Sequence, residues 1–271
     1  MNFWTCGIYD LFKYGLVQWL FDTFTLTETQ SSLIIGGGFL LCIVASYLLG
    51  SISFAVLISR VFYHDDVRKY GSGNAGTTNM LRTFGKKAAL MTFVGDTFKG
   101  VVAILIACLV FGASLESNVG GYWLLVTASY LSAFMCILGH VFPIFAKFRG
   151  GKGFATLLAA IAALDPVVFL LLMVVYFPMI LMTHYVSLSS ITIALFYPVL
   201  LATVDRTVPL HIGTHIMIAL LMGLLVTWCH RSNISRLIKG KERKTYLFKK
   251  KESAKTDEAP ATTGGNGENE A

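Results

Sequence analysis

The chain has few charged residues. Asp, Glu, Lys and Arg make up 14% of its 271 residues, whereas soluble domains average about 25%. Hydrophobic residues make up 55%, and the mean hydropathy is +0.67. Apolar runs of about 20 residues recur, which is the length that a helix needs to cross a bilayer. These values exclude an ordinary soluble enzyme and predict an all-α, polytopic membrane protein.

The cysteines form no metal-binding or disulfide pattern. None of the five belongs to a CxxC pair, and four lie in apolar runs, where we expect small buried hydrophobes. The N-terminus lacks both a basic start and an A-x-A-type cleavage site, so no cleaved signal peptide is expected. The sequence gives no reason to expect a metal or a cofactor.

Two signatures of acyl chemistry are also missing. There is no GxSxG nucleophile elbow. No histidine is followed five residues later by aspartate, the spacing of the His-x4-Asp base found in many acyltransferases. Any acyl transfer by this chain therefore needs a donor that is already activated.

The apolar runs predict seven transmembrane helices. Asp165-Pro166 divides one long run in two, because proline interrupts a helix and biases the preceding residue toward extended structure. Nineteen of the 22 Lys and Arg residues fall on one side of this arrangement. The positive-inside rule then places the N-terminus outside and the C-terminus in the cytoplasm. The predicted spans cover about 31–59, 88–112, 121–139, 154–164, 167–184, 191–203 and 211–229.

Two segments flank this bundle. Residues 1–30 form an N-terminal extension whose aromatic run, Phe12–Phe21, is expected to lie in the membrane interface. Residues 31–245 form the seven-span domain, and residues 246–271 form a polar tail that is expected to be disordered. The net charge of +7 would suggest nucleic acid in a soluble protein. Here the cations lie between spans, so membrane lipid is the expected partner and nucleic acid is not.

A polar, glycine-rich loop at residues 68–82 lies between the first two apolar runs. Its glycines allow positive φ and close approach of a ligand, and successive N–H groups can form a concave anion site. It matches GxGxxG at 71–76 but follows no buried strand, which excludes a dinucleotide fold. The loop is predicted to bind phosphate, with a flexible connection as the alternative. Its candidate donors are Ser72, Gly73, Asn74, Thr77, Thr78, Asn79 and Arg82.

A second basic loop ends in Phe148-Arg-Gly-Gly-Lys-Gly153. It is not a Walker A motif, which would need Gly at 146 and Ser or Thr at 153. A helix is predicted to start at Phe154, and a helix N-terminus attracts anions. The sequence therefore predicts a second phosphate-binding segment at Gly150, Gly151, Lys152 and Gly153, against the alternative of a basic loop that only sets topology.

Two pairs of polar residues stand three positions apart. Asp96 and Lys99 lie inside a span on one helical face, which fits either a structural ion pair or a role next to the site. His230 and Asn233 lie at the end of the last span. Together with the two loops and the segment 185–190, the His230 segment is predicted to meet on the cytoplasmic side in one site.

This combination resembles the bacterial acyl-phosphate:glycerol-3-phosphate acyltransferase family over about residues 36–245. The resemblance rests on segments found in order along the chain. They are Gly50-Ser-Ile, residues 71–82, Asp96-Thr-Phe-Lys-Gly100, Gly139-His-Val-Phe-Pro143, residues 148–156, Tyr185-Val-Ser-Leu-Ser-Ser190, and residues 230–237 with Gly240 and Glu242.

The resemblance implies that an acyl group passes from acyl phosphate to the sn-1 hydroxyl of glycerol 3-phosphate. Ser72, Arg82, His230 and Asn233 would then be catalytic. Gly150 to Gly153, and the pair Ser189 and Ser190, would bind phosphate, while Glu242 would be structural. Either His230 or a substrate phosphate would take the hydroxyl proton.

The resemblance also implies a setting. The enzyme would lie in the bacterial cytoplasmic (inner) membrane with its site on the cytoplasmic face, supplied by a partner enzyme that makes acyl phosphate. The alternative function is a transporter of a phosphorylated solute. Transporters place their sites near the bilayer midplane, whereas these polar groups are predicted at one face.

Overall fold

The computed structural model describes residues 8–112, 119–204 and 212–245. The predicted tail at 246–271 and the predicted turn at 205–206 lie outside these ranges. The described part contains helices and turns and no strand, which confirms the all-α prediction there. Its α-helices are α1 (Ile8–Thr23), α2 (Glu28–Gly50), α3 (Phe54–Tyr63), α4 (Thr77–Phe84), α5 (Lys86–Phe111), α6 (Val119–Val141), α7 (Phe154–Leu164), α8 (Pro166–Thr183), α9 (Val186–Val204), α10 (Ile212–Cys229) and α11 (Arg231–Ile238).

Five stretches of the described chain are long and apolar enough to cross a membrane. A sixth is reached if α10 and α11, which meet at a bend of 59°, count as one span. α7 is apolar but has only 11 residues, about 16 Å of helix against a hydrocarbon core of about 30 Å. Seven crossings and the orientation of the termini therefore stay predictions.

The predicted first span contains a break. α2 ends at Gly50 and α3 begins at Phe54, although Glu28–Tyr63 still counts as one candidate span. A helix end leaves carbonyl groups without N–H partners, and unpaired carbonyls are costly in a bilayer. Lys99 of α5 supplies the missing donors: its Nζ donates to the carbonyls of Gly50 at 3.1 Å and Ile52 at 2.9 Å.

The same lysine belongs to a buried charged cluster. Lys99 Nζ lies 2.9 Å from Asp96 Oδ1, and both side chains are 1% exposed. His140 Nδ1 of α6 lies 3.3 Å from the same Asp96 oxygen. Asp96 and Lys99 therefore form an ion pair that joins α5, α6 and the α2–α3 break. Asp96 also lines the cavity described below, so the pair lies next to the candidate site as well.

Glycines allow α2 and α6 to cross in backbone contact. A Cβ on Gly50 would lie 2.2 Å from the carbonyl oxygen of Cys136, and one on Gly139 would lie 2.3 Å from that of Tyr47. Side chains cannot be accommodated at such distances. The crossing holds His140, the residue after Gly139, against α5.

The predicted turn at Asp165-Pro166 is confirmed, since α8 begins at Pro166. Tyr130 of α6 donates its hydroxyl proton to Asp165, lying 2.7 Å from Oδ1 and 2.8 Å from Oδ2. Tyr197 of α9 donates to Oδ2 at 2.7 Å. These bonds fix one end of α7, and its other end carries the second glycine-rich loop.

Breaking the buried ion pair is expected to destabilise the protein strongly. Asp96→Asn or Lys99→Met alone leaves one buried charge without its partner, at a cost of about 3–5 kcal/mol. The double variant removes both charges and should unfold at a higher temperature than the sum of the single effects predicts. Thermal unfolding in detergent tests this, and strictly additive single effects would contradict it.

Adding one methyl group at the α2–α6 crossing should also destabilise the fold. Gly139→Ala places a Cβ against the Tyr47 carbonyl, and overpacking of this kind costs about 1–3 kcal/mol. Gly37→Ala is the matched control, because a Cβ at Gly37 meets nothing within 4 Å and alanine favours helix. The two unfolding temperatures should move in opposite directions; equal shifts would count against close backbone contact.

Candidate active site

The first turns of four helices open onto one cavity of about 330 Å³. Free N–H groups and the positive end of the helix dipole make each such turn favourable for an anion. Four of them around one space form a strong anion site. The lining residues from these turns are Thr77 and Thr78 of α4, Phe154 and Ala155 of α7, Val186 and Ser187 of α9, and His230 and Asn233 at the start of α11.

Four cationic side chains line the same cavity: Arg82, Lys152, Arg236 and Arg243. Burial, together with the charges of Arg236 and Arg82, lowers the pKa of Lys152 to about 8 against the opposing effect of Glu242. Partial burial and the charge of Arg243 also lower the pKa of Arg82. Clustered cations that disfavour one another's charge favour an anionic ligand.

A hydrogen-bonded chain connects Lys152 to Glu242. Lys152 Nζ donates to Asn233 Oδ1, and Asn233 Nδ2 donates to Glu242 Oε1 at 2.6 Å. Ser187 Oγ and Arg236 Nε also donate to Glu242, at 2.8 and 2.7 Å. Burial alone would raise the pKa of Glu242, but these bonds hold it below its usual value. Glu242 thus joins α9, α11 and the lysine through one carboxylate.

Asn79 organises the first glycine-rich loop. Its side-chain amide donates to the carbonyls of Val67, Tyr70 and Asn74 at 3.0–3.1 Å. Its Oδ1 accepts from the backbone N–H of Ser72 at 3.0 Å. The sequence suggested Asn79 as a donor to phosphate; the structure shows that its amide holds the loop instead.

The two glycine-rich loops are fastened to each other. Arg68 pairs with Asp66 at 2.7 Å and donates from Nη1 to the carbonyl of Ala146 at 2.9 Å. The second loop also packs on His140: a Cβ on Gly150 would lie 2.0 Å from the His140 carbonyl oxygen, and one on Gly151 would lie 2.0 Å from its ring Nε2. Steric room, and not only free N–H groups, therefore requires glycine at both positions.

A second cavity of about 340 Å³ adjoins the first. It is lined by Arg149 and Arg231 together with Gly150 and Gly151 of the second loop. Ser72, Asn74, Lys152 and Arg236 line both cavities and so form a shared wall. Two anions bound on the two sides of this wall would both be within reach of Lys152.

The first cavity changes character along its length. Beyond the polar groups it is lined by Phe93, Leu158, Met173, Tyr176 and Phe177 from α5, α7 and α8. The exposed fractions of Phe93 and Phe177 are 38% and 56%, so the apolar end reaches the outer surface of the helix bundle. An amphiphile with an anionic head matches this cavity.

His230 presents one defined tautomer. Its Nδ1 lies 2.7 Å from the carbonyl oxygen of Val226. A carbonyl can only accept, so Nδ1 carries the proton and Nε2 holds a lone pair. His230 lines the first cavity and is suited to accept a hydrogen bond there.

The structure brings nearly all of the predicted site residues together. One or both cavities are lined by Ser72, Gly73, Asn74, Thr78, Arg82, Gly150, Gly151, Lys152, Gly153, Ser190, His230 and Asn233. Ser189 lines neither cavity; it is buried and donates to the carbonyl of Tyr185 at 3.3 Å. The segment 185–190, predicted as a connection, already belongs to α9 from Val186 onward.

Sequence reasoning missed Ser187, Arg236 and Arg243. Arg236 lies in the segment 230–237 but received no role, although it stands three residues after Asn233 and therefore on the same helical face. That spacing was the available signal. Ser187 and Arg243 carried none, because only tertiary packing brings them to the cavity.

Comparison with known proteins gives a consistent result. The glycerol-3-phosphate acyltransferase family model matches residues 40–240. A glycerol-3-phosphate acyltransferase of Clostridioides difficile (strain 630) is 41% identical over 206 residues, covering 76% of this chain and 95% of that protein. One from Paraburkholderia xenovorans (strain LB400) is 36% identical over 217 residues, covering 79% and 94%.

Two solved structures share the fold. The glycerol 3-phosphate form of PlsY, an integral membrane glycerol 3-phosphate acyltransferase, superposes with a TM-score of 0.65 and 35% identity, covering 77% of this chain and 96% of that one. Its lysophosphatidic acid form gives 0.62 and 34%, covering 77% and 95%. On this evidence the chain belongs to the glycerol-3-phosphate acyltransferase family.

Proposed function

We propose that this protein transfers a fatty acyl group from acyl phosphate to the sn-1 hydroxyl of glycerol 3-phosphate, giving lysophosphatidic acid and inorganic phosphate. The observation that carries the proposal is the pair of basic cavities with a shared wall, of which the first has the more extensive apolar lining. One anionic substrate with a long chain and one without fit this arrangement.

The acyl phosphate occupies the first cavity. Its chain lies among Phe93, Leu158, Met173 and Phe177 and enters from the bilayer at the exposed end of this apolar lining. Its phosphate lies at the polar end, near Arg82 and the helix N-termini. Charge-assisted hydrogen bonds of this kind are about twice as strong as neutral ones.

Glycerol 3-phosphate occupies the second cavity. Arg149, Arg231 and the Gly150–Gly151 segment face its phosphate, and its hydroxyl reaches the shared wall. Lys152, which lines both cavities, is near both phosphates. The enzyme thus holds two mutually repelling anions at short distance, and this positioning supplies much of the rate.

The chemistry needs no enzyme nucleophile. The hydroxyl oxygen attacks the acyl carbonyl carbon, the bond from that carbon to the phosphate oxygen breaks, and phosphate leaves with the electron pair. Lys152 and Arg82 stabilise the charge that grows on the leaving phosphate. The hydroxyl proton passes either to His230 Nε2, which has the lone pair, or to the departing phosphate.

The setting is part of the proposal. The positive-inside distribution of Lys and Arg supports a site on the cytoplasmic face of the bacterial inner membrane. A separate enzyme would supply acyl phosphate. Membership in an acyltransferase family favours acyl transfer over the alternative of transport.

The donor can be tested directly. Purified protein with glycerol 3-phosphate should form lysophosphatidic acid from palmitoyl phosphate and not from palmitoyl-CoA or palmitoyl–acyl carrier protein. Lys152→Gln should lower kcat/KM by about 100-fold or more, the scale seen when one charge-stabilising donor is removed. Lys147→Gln is the matched control, because Lys147 is exposed and lines neither cavity. Product formation from a thioester and not from acyl phosphate would refute the proposal that acyl phosphate is the donor.

The pH dependence should report Lys152. Its cation is present below pH 8 and lost as the pH rises through its pKa of about 8. We expect kcat/KM to fall above pH 8, since that ratio reports groups of the free enzyme. The substrate phosphate loses its second proton near pH 6, so its titration does not contribute to the fall of kcat/KM above pH 8.

Glu242→Gln provides the second arm of this experiment. The Glu242 carboxylate raises the pKa of Lys152, so its removal should move the alkaline limb to lower pH. If the alkaline limb of kcat/KM does not move in a variant that unfolds at the wild-type temperature, Lys152 is not the group whose deprotonation causes the fall.

A further inference from the structure

The last described segment of the chain crosses the first cavity. α11 ends at Ile238, Gly240 adopts a φ of 64°, and the Lys241 N–H donates to the Arg236 carbonyl at 2.8 Å, which turns the chain back. Residues 241–245, here called the C-terminal strap, then pass over the site with Glu242 and Arg243 in the cavity lining. The family match ends at residue 240, before the strap begins.

The strap is docked at its far end through Thr245. The Thr245 N–H donates to the carbonyl oxygen of His184 at 2.8 Å. His184 follows α8 in a left-handed conformation with a φ of 60°. Thr245 is 8% exposed. Its backbone is therefore fixed to the α8–α9 connection independently of its side chain.

The Thr245 side chain meets Arg82. Arg82 Nη2 donates to Thr245 Oγ1 at 3.1 Å, across 163 positions of sequence. Within the described residues, no carboxylate lies within 4.0 Å of the Arg82 guanidinium, and the hydroxyl of Thr245 is its one hydrogen-bond partner in the protein. Of the surrounding charges, Arg243 and Arg236 disfavour the Arg82 cation, and the carboxylate of Glu242 favours it.

A neutral acceptor suits this position. A guanidinium has five N–H donors in a rigid fork, and one hydrogen bond fixes the plane of the fork. A carboxylate partner would fix the plane too, but it would also neutralise the charge that a phosphate must find. A hydroxyl oxygen orients Arg82 and leaves its charge and remaining donors for the ligand.

We propose that Thr245 is a positioning residue for substrate phosphate: its hydroxyl, held in place by the strap, aims the Arg82 guanidinium into the first cavity. The inference rests on the proposed function only in that Arg82 binds a phosphate. It assigns to the strap a role in phosphate affinity beyond the Glu242 network.

A double-mutant cycle with a binding readout tests this, using full-length protein in detergent. Calorimetry with octyl phosphate, an amphiphile whose head group would lie beside Arg82 in the first cavity, and with inorganic phosphate gives Kd without turnover, so a wrong acyl donor leaves the result interpretable. The later measurements use whichever of the two ligands loses more affinity in Arg82→Lys. For that ligand, Thr245→Val should weaken binding about 10-fold, the scale of one hydrogen bond to a charged group.

The remaining arms separate positioning from structure. Thr245→Ser keeps the oxygen and should bind within about 2-fold of wild type, as should Thr203→Val, an exposed threonine whose hydroxyl bonds within α9. In the Arg82→Lys background, Thr245→Val should have no further effect. The proposal is overturned if Thr245→Val weakens binding equally in the wild-type and Arg82→Lys backgrounds. It is also overturned if Thr245→Ser binds as weakly as Thr245→Val, or if Arg82→Lys binds both ligands with normal affinity.

Discussion

The structure depends on the ammonium group of Lys99, which lies at the break between α2 and α3. Lys99 neutralises Asp96 and at the same time donates to the carbonyls of Gly50 and Ile52. Without that donor, the break between α2 and α3 would leave carbonyls unpaired inside an apolar bundle, which a bilayer does not tolerate. The break in turn redirects the chain into α3 and the loop that becomes the first wall of the site. A buried charge usually destabilises a fold, but here it provides the hydrogen bonds that an irregular backbone segment needs.

The same cluster reaches the site through His140. Its ring nitrogen meets Asp96, its carbonyl oxygen accepts from the Gly151 N–H at 3.1 Å, and its bulk excludes any side chain at Gly150 and Gly151. Stability and function are thus coupled through shared atoms. The ion pair positions the histidine, the histidine shapes the loop, and the loop presents Lys152 to both cavities.

Anion binding by this protein is a property of the arrangement and not of one motif. Four helix N-termini and four cationic side chains face one small space, and they repel each other when it is empty of anions. Glu242 offsets part of that repulsion through three hydrogen bonds. A bound anion would balance the remaining repulsion, so the mutual repulsion of the protein groups favours an anionic ligand.

The sequence by itself determined the helical membrane class, the helix start at Phe154, the turn at Asp165-Pro166, and the two glycine-rich loops with Arg82 and Lys152, because hydropathy, proline and glycine act locally. Only the tertiary structure decided that Asn79 holds its loop and that Ser187 lines a cavity while Ser189 lines neither. It also decided that Arg236 and Arg243 line the first cavity and that Thr245 meets Arg82. Those roles depend on which groups from distant segments arrive within about 3 Å. Periodicity and motif spacing carry no information about such contacts, since each is fixed by the packing of helices far apart in the chain.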